Sequence, residues 1–160
     1  MKITPTAQLG IKITIDSTLD WSRLQLIVID ASKGKDSLGL VLNRNMEMDQ
    51  DWQDYVLPDL SDGFTHQIHT VNTEIQRARS KNAESGELYI TLENSYAWYS
   101  TINQARLSLE GEFQLSKISE IDNPTKLERS TQSAYLKNKF YTFLQSQLLT
   151  HVLSPNDELE

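Results

Sequence analysis

Between Gly86 and Gly111 the chain carries its most organised pattern of apolar and polar positions. Glu87-Leu88-Tyr89-Ile90 reads as a short strand. Behind it a helix opens at Thr91, with Trp98, Ile102, Ala105 and Leu109 on one stripe. On the same wheel Tyr99, Asn103, Arg106 and Glu110 form a polar flank, while Tyr96 and Leu107 put apolar surface on a second side. Apolar groups on two sides predict a helix with neighbours on both, so this segment is expected at the centre of the fold. Its flank then needs partners, because an unpaired buried guanidinium is costly. Gly111 is expected to close the helix in a left-handed conformation.

Ahead of this segment, Ile11, Ile13 and Ile15 alternate with Lys12 and Thr14 as in a half-buried strand. The next stretch fits two periods: Leu24 to Ile29 suits a buried strand, whereas Trp21, Leu24, Val28 and Ala31 make a helical stripe. Ser32 to Ser37 has the composition of a turn, Gly34 included, and Leu38 to Leu42 that of a strand with Gly39 at a bulge. Asp49 can cap a short helix holding Trp52, Tyr55 and Val56, which is expected to end near Leu57 because Pro58 disfavours helix in the residue before it. Asp62 then caps a longer amphipathic helix with Phe64, Ile68, Val71, Ile75 and Ala78 on its stripe and Arg77, Arg79 and Lys81 at its carboxyl end.

Asn123 and Pro124 predict the start of a last helix, running from about Pro124 to Leu153 with a break near Ser130. Leu136, Phe140, Phe143, Leu144 and Leu148 form its expected core face, leaving Tyr135, Leu149 and Leu153 on the opposite side. Either another copy of the chain or the N-terminal sheet then covers that opposite side, the first giving a homodimer. The expected fold is therefore α+β and mostly helical, with about four helices around the central one and a small N-terminal antiparallel sheet. One domain over 1–153 is expected, β-rich over 1–48 and helical over 49–153, followed by a disordered acidic tail at 154–160.

Charge and composition narrow the function. A formal charge of −7 over 160 residues repels phosphate backbones and disfavours nucleic acid as a partner. The absence of cysteine removes disulfides, thiolate metal sites and thiol nucleophiles. No apolar run approaches membrane-spanning length and no leader pattern is present, so the expected location is the cytoplasm, with no membrane partner. His66 and His69 lie three apart on the amphipathic helix but lack a third ligand, which favours solvated or capping histidines over a metal site; no metal or cofactor is expected. His151 reads as a partner of its helix dipole. Asp49, Asp51, Asp54, Asp59 and Asp62 read as caps and a solvated acidic face, matching no calcium loop. Lys126, Arg129 and Lys137 share one face of the last helix, a solvated face in preference to one that meets an acidic partner or nucleic acid. No nucleophile elbow or phosphate-cradling glycine loop occurs. Among ligand or partner candidates, Asn103, Arg106 and Glu110 either clamp a neighbouring helix or bind a ligand, while Tyr135 and Leu149 are the positions expected to meet a protein.

The run Leu57-Pro58-Asp59, the helix from Phe64 with Val71 and Ile75, the strand Glu87 to Ile90, and Trp98 followed by Ile102-Asn103-Gln104-Ala105-Arg106-Leu107-Ser108-Leu109 together resemble a bacterial family. It is the domain of unknown function numbered two thousand and seventeen, whose actinobacterial branch is called AosR-type. The resemblance covers roughly Trp52 to Leu153 and implies a mostly helical, non-enzymatic cytoplasmic domain, often encoded near a protease adaptor. In the AosR-type branch it implies redox-linked transcriptional regulation with a sigma factor. That switch depends on cysteines, so thiol sensing does not carry over to this chain. The expected function is a regulatory or adaptor-like module acting through protein contacts; the alternative is a small-molecule-binding or metal-dependent enzyme using Arg106 and its neighbours.

Overall fold

Strands β1 (Lys2–Thr6) and β2 (Gly10–Ile15) form an antiparallel hairpin, and β3 (Gly86–Thr91) pairs antiparallel with the other edge of β2. The computed structural model describes residues 1–46, 50, 54, 56–118 and 127–153. The strand expected at Ile11 to Ile15 is β2, and the alternation sorts its faces: Ile11, Ile13 and Ile15 are buried with Leu88 and Ile90. On the other face Lys12 meets the carboxylate of Glu87 at 3.0 Å. The partner strand β1 carries only Ile3 as a strongly apolar position, too weak an alternation to predict it.

Helix α1 (Thr18–Met46) resolves the two-period stretch in favour of the helical stripe: Trp21, Leu24, Val28 and Ala31 are all buried. It also runs straight through the turn expected at Ser32 to Ser37 and the strand expected at Leu38 to Leu42, correcting both. The reason is Gly34. A β-carbon built there would lie 2.5 Å from the carbonyl oxygen of Gln104 and 2.9 Å from the β-carbon of Ser108. The glycine marks the closest approach of two helices, and tertiary packing overrides its turn propensity.

Helix α2 (Leu57–Lys81) starts where a stop was expected. Pro58 sits in its first turn, where a missing N–H leaves no intrahelical bond unmade, so it opens the helix, and Asp62 lies inside it. The stripe places Ile68, Val71 and Ile75 in the core as expected. Asp49, Trp52 and Tyr55 lie outside the described residues.

Helix α3 (Leu92–Phe113) is the centre of the assembly, packing against α1, α2, β3 and α5 (Arg129–Leu148). A reciprocal capping box between Thr91 and Asn94 opens it. From α2, Glu74 accepts from Asn94 Nδ2 and from the indole Nε1 of Trp98, both at 2.6 Å, so the largest buried ring on the helix has its polar edge satisfied. Its second packed side differs from the expectation. Tyr96 and Leu107 are exposed, and the enclosure is completed by Ser95, Thr101, Gln104 and Ser108, small or neutral residues that let α1 come close. Gly111 does not end α3 either. The helix passes through it to Phe113, and Gln114 takes the left-handed conformation at φ 50°, its N–H donating to the Glu110 carbonyl at 2.9 Å.

After the short helix α4 (Leu115–Ile118), α5 runs into a π-helical turn at Leu149–Leu153. Asn123 and Pro124 lie outside the described residues. The core face of α5 is Ala134, Tyr141, Leu144, Gln145 and Leu148, so the expected face needs correction: Leu144 and Leu148 belong to it, but Leu136 and Phe143 are exposed at 61% and 51%. Two buried polar contacts, one to α1 and one to α3, set this rotation.

Two of the glycines inside helices, Gly34 and Gly63, predict opposite outcomes. Gly34→Ala forces its methyl against a backbone carbonyl that no rotamer change relieves, and it should lower stability by about 1–3 kcal/mol despite the helix propensity gained. At Gly63 a β-carbon would meet nothing within 4 Å, so Gly63→Ala should raise stability by about 0.5–1 kcal/mol. Urea denaturation midpoints measure both; a tolerated Gly34→Ala contradicts the close crossing.

Candidate functional site

Helix α5 is held between α1 and α3 by two polar contacts, each of which decides what the opposite face presents. Toward α1, the carboxylate of Asp30, with its side chain only 3% exposed, receives Lys137 Nζ at 2.7 Å and 3.0 Å and the hydroxyl of Tyr141 at 2.7 Å. A buried carboxylate requires such partners. Burial, and then the hydrogen bond to Asp30, push the Tyr141 hydroxyl far above the usual tyrosine range. Toward α3, Arg106 donates through Nη1 to Gln145 Oε1 at 2.5 Å and through Nε to Asn138 Oδ1 at 3.4 Å. With Lys137, Tyr141, Asn138 and Gln145 turned inward, Leu136 and Phe143 are left facing outward.

Two clefts flank this outward ridge, and Phe143 lines both. The first, about 800 Å³, lies between α5, the beginning of α1 and β1. Leu26, Leu136, Phe140 and Phe143 contribute apolar wall, as do Met1 and Ile3, and the described lining includes the basic side chains Arg23, Arg129 and Lys137, of which Arg23 and Lys137 are paired to Asp20 and Asp30. Arg23 is mostly exposed and donates to Asp20 at 3.1 Å. Burial opposes charge on Asp20, but the N–H of Asp16, the amino terminus and Arg23 outweigh it and hold the carboxyl below the usual range. Arg129 has no ion-pair partner among the described residues.

The second cleft, about 650 Å³, gathers Arg106, Glu110 and Tyr135 with Asn138 and Lys139. Three of the candidates from the sequence thus meet in one place; Asn103 is half-buried on α3 and Leu149 sits partly exposed in the π-helical turn, neither lining this cleft. Arg106 and Glu110 do not use their i, i+4 spacing. Glu110 instead accepts from the N–H of Ser116 at 2.9 Å and from its hydroxyl, tying α3 to α4. Both charged groups are therefore turned to internal partners, as a helix clamp requires. Lys139 stacks over the Tyr135 ring at 5.1 Å from its centroid.

His66 and His69 are exposed on α2. Among the described residues no group of three or more metal-ligating side chains occurs. Asp54 accepts from Gln50 at 3.0 Å, Asp59 and Asp62 lie in the opening turns of α2, and Asp49 and Asp51 lie outside the described residues. Arg129 and Lys137 share one cleft; Lys126 lies outside the described residues. No described helix is long and apolar enough to cross a membrane. No motif in the sequence singles out Asp30 or Tyr141. Asp30 lies between Val28 and Ala31 on an apolar helical stretch, and a carboxylate in that setting is the signal for a buried partner.

Residues 41–152 match the family model of a domain of unknown function, DUF2017. No curated protein matches the chain, and no solved structure does.

The Asp30 contact has a pH signature. Tyr141 is held neutral in the folded chain but ionises near its ordinary value of about 10 once unfolded, so its contribution is complete below that pH and is lost as pH rises above it, by up to about 1.4 kcal/mol per unit. Stability measured by urea unfolding between about pH 9 and pH 11 should therefore fall less steeply in Tyr141→Phe than in the wild type. Parallel profiles would show that Tyr141 is not held neutral by this site.

Proposed function

Because the chain belongs to the DUF2017 family, we propose that it is a non-enzymatic regulatory or adaptor-like module in transcriptional or stress regulation, acting through contacts with another protein. The observation that supports this reading is the outward ridge of α5. Leu136, Phe140 and Phe143 follow one another at helical spacing between two clefts, and Leu136 and Phe143 are more than half exposed. Covering a Leu or Phe side chain fully contributes about 1.5–3 kcal/mol before the cost of association, so a partner that covers this ridge gains appreciably. Regulation by thiol chemistry is not part of the proposal, since the chain has no cysteine. A homodimer through Tyr135, Leu149 and Leu153 draws less support, because Tyr135 and Leu153 are already half-buried within one chain. A small-molecule reading rests on the cleft beside Arg106, whose guanidinium is already engaged by Asn138 and Gln145.

Affinity capture from the native host, with wild type and Phe143→Glu in parallel, tests the proposal. The expected outcome is a protein recovered by the wild type and lost by the variant, with the helical circular dichroism of the two chains unchanged. Recovery of the same proteins by both, or a copurified small molecule lost in Arg106→Gln, contradicts it.

A further inference from the structure

The first cleft has a polar end and an apolar end, and one helix fixes their order. Arg129, Gln132, Ser133, Leu136, Phe140 and Phe143 line it from α5. Their spacing of i, i+3, i+4, i+7, i+11 and i+14 puts them on one face of that helix, over about 21 Å at 1.5 Å per residue. The polar three open the face and the apolar three continue it. Of the basic residues in the cleft, Arg23 is held by Asp20 at 3.1 Å and Lys137 by Asp30 at 2.7 Å. Lys137 therefore offers the cleft its methylene stem and not a free charge. Arg129 is exposed and has no ion-pair partner among the described residues, and the side chains of Gln132 and Ser133 make no hydrogen bond among them. Unused donors are thus gathered at the amino end of α5, next to an apolar trough.

From this order of groups we propose that the cleft binds a single-chain amphiphile with a carboxylate head, a long-chain fatty acid, its head on Arg129 beside Gln132 and Ser133 and its tail along Leu136, Phe140 and Phe143. A planar guanidinium matches a carboxylate with two parallel N–H donors. The tail gains from each methylene taken out of water. A single unpaired cation at one end of an apolar trough suits a molecule charged at one end only. At about 800 Å³ the cleft lies within the size range of small-molecule sites. An extended peptide would leave backbone N–H and C=O groups unpaired against the apolar part of the trough, a cost that a hydrocarbon tail does not carry.

The test is displacement of a dansyl-labelled undecanoate probe from the full chain by unlabelled competitors kept below their micellar range. Monomeric dodecanoate should compete at a single saturable site, and affinity should rise about two- to fourfold for each methylene added from decanoate to tetradecanoate. Dodecanol, which keeps the tail and lacks the charge, should bind about fivefold more weakly. Arg129→Gln should weaken dodecanoate by about fivefold and leave dodecanol unaltered, so that the two bind alike. Leu136→Gln should weaken both by about threefold or more, and Lys139→Gln, in the second cleft, should weaken neither. All three positions are exposed, so circular dichroism and thermal midpoint should match the wild type. No saturable binding, no dependence on chain length, or equal binding of dodecanoate and dodecanol by the wild type overturns the proposal. A loss in Lys139→Gln that Arg129→Gln does not share also overturns it and moves the ligand to the second cleft. Cosedimentation with phosphatidylglycerol vesicles in the absence of monomer binding overturns it as well and assigns the cleft to a membrane surface. None of these outcomes depends on a protein meeting the α5 ridge, so failure here leaves the protein-binding reading standing.

Discussion

The fold depends on the contact of α1 with α3 at Gly34. Helix α3 carries Trp98, Ile102, Ala105 and Leu109 on one side and Thr101, Gln104 and Ser108 on another, all buried. It can be enclosed to that degree only if α1 approaches its backbone, and the methyl-free position opposite the Gln104 carbonyl permits this. The remaining neighbours attach by polar contacts suited to their sites. Glu74 of α2 holds the indole of Trp98 and the cap residue Asn94, and Arg106 reaches α5. The charged groups on the polar flank have partners on adjoining elements, Arg106 on α5 and Glu110 on α4, whereas Thr101 Oγ1 and Gln104 Oε1 are buried without one, a cost that the close packing of α1 offsets.

The orientation of α5 follows from the same rule. Its apolar residues are spread over most of the wheel, so hydrophobic burial alone selects no face. Asp30 decides it: a carboxylate enclosed by α1 draws Lys137 and Tyr141 inward, while Arg106 draws Asn138 and Gln145. Leu136 and Phe143 are then outward by geometry, whatever their hydrophobicity. The candidate functional surface is in this sense a by-product of satisfying buried charge, which ties recognition to the interior of the fold.

Much of the architecture is legible in the sequence where one period dominates. The α2 stripe, the isoleucines of β2 and the centrality of the Trp98 helix all follow from spacing, because the side chains that define the period are the ones buried. The failures share a cause. Gly34, Pro58 and Gly111 each read locally as punctuation, yet Gly34 serves a helix crossing, Pro58 opens a helix and Gly111 is passed over without interruption. Local propensity cannot distinguish a glycine that ends a helix from one that admits a neighbour. At the candidate site, spacing groups Arg106 with Glu110 and picks out Tyr135, but it gives no sign of the inward turn of Lys137, which depends on Asp30 more than a hundred residues away. The cleft formed by α5 with α1 and β1 is invisible to spacing for the same reason: its walls come from distant parts of the chain.

Amide hydrogen exchange resolved at Ser32, Lys33 and Gly34 tests the crossing most directly. If α1 is continuous across its contact with α3, those amides sit inside a packed helix and should be protected to nearly the level of the Trp98 to Leu109 segment. Exchange at rates typical of an exposed turn would break α1 at Gly34, remove the crossing that encloses α3, and contradict the fold on which the α5 surface depends.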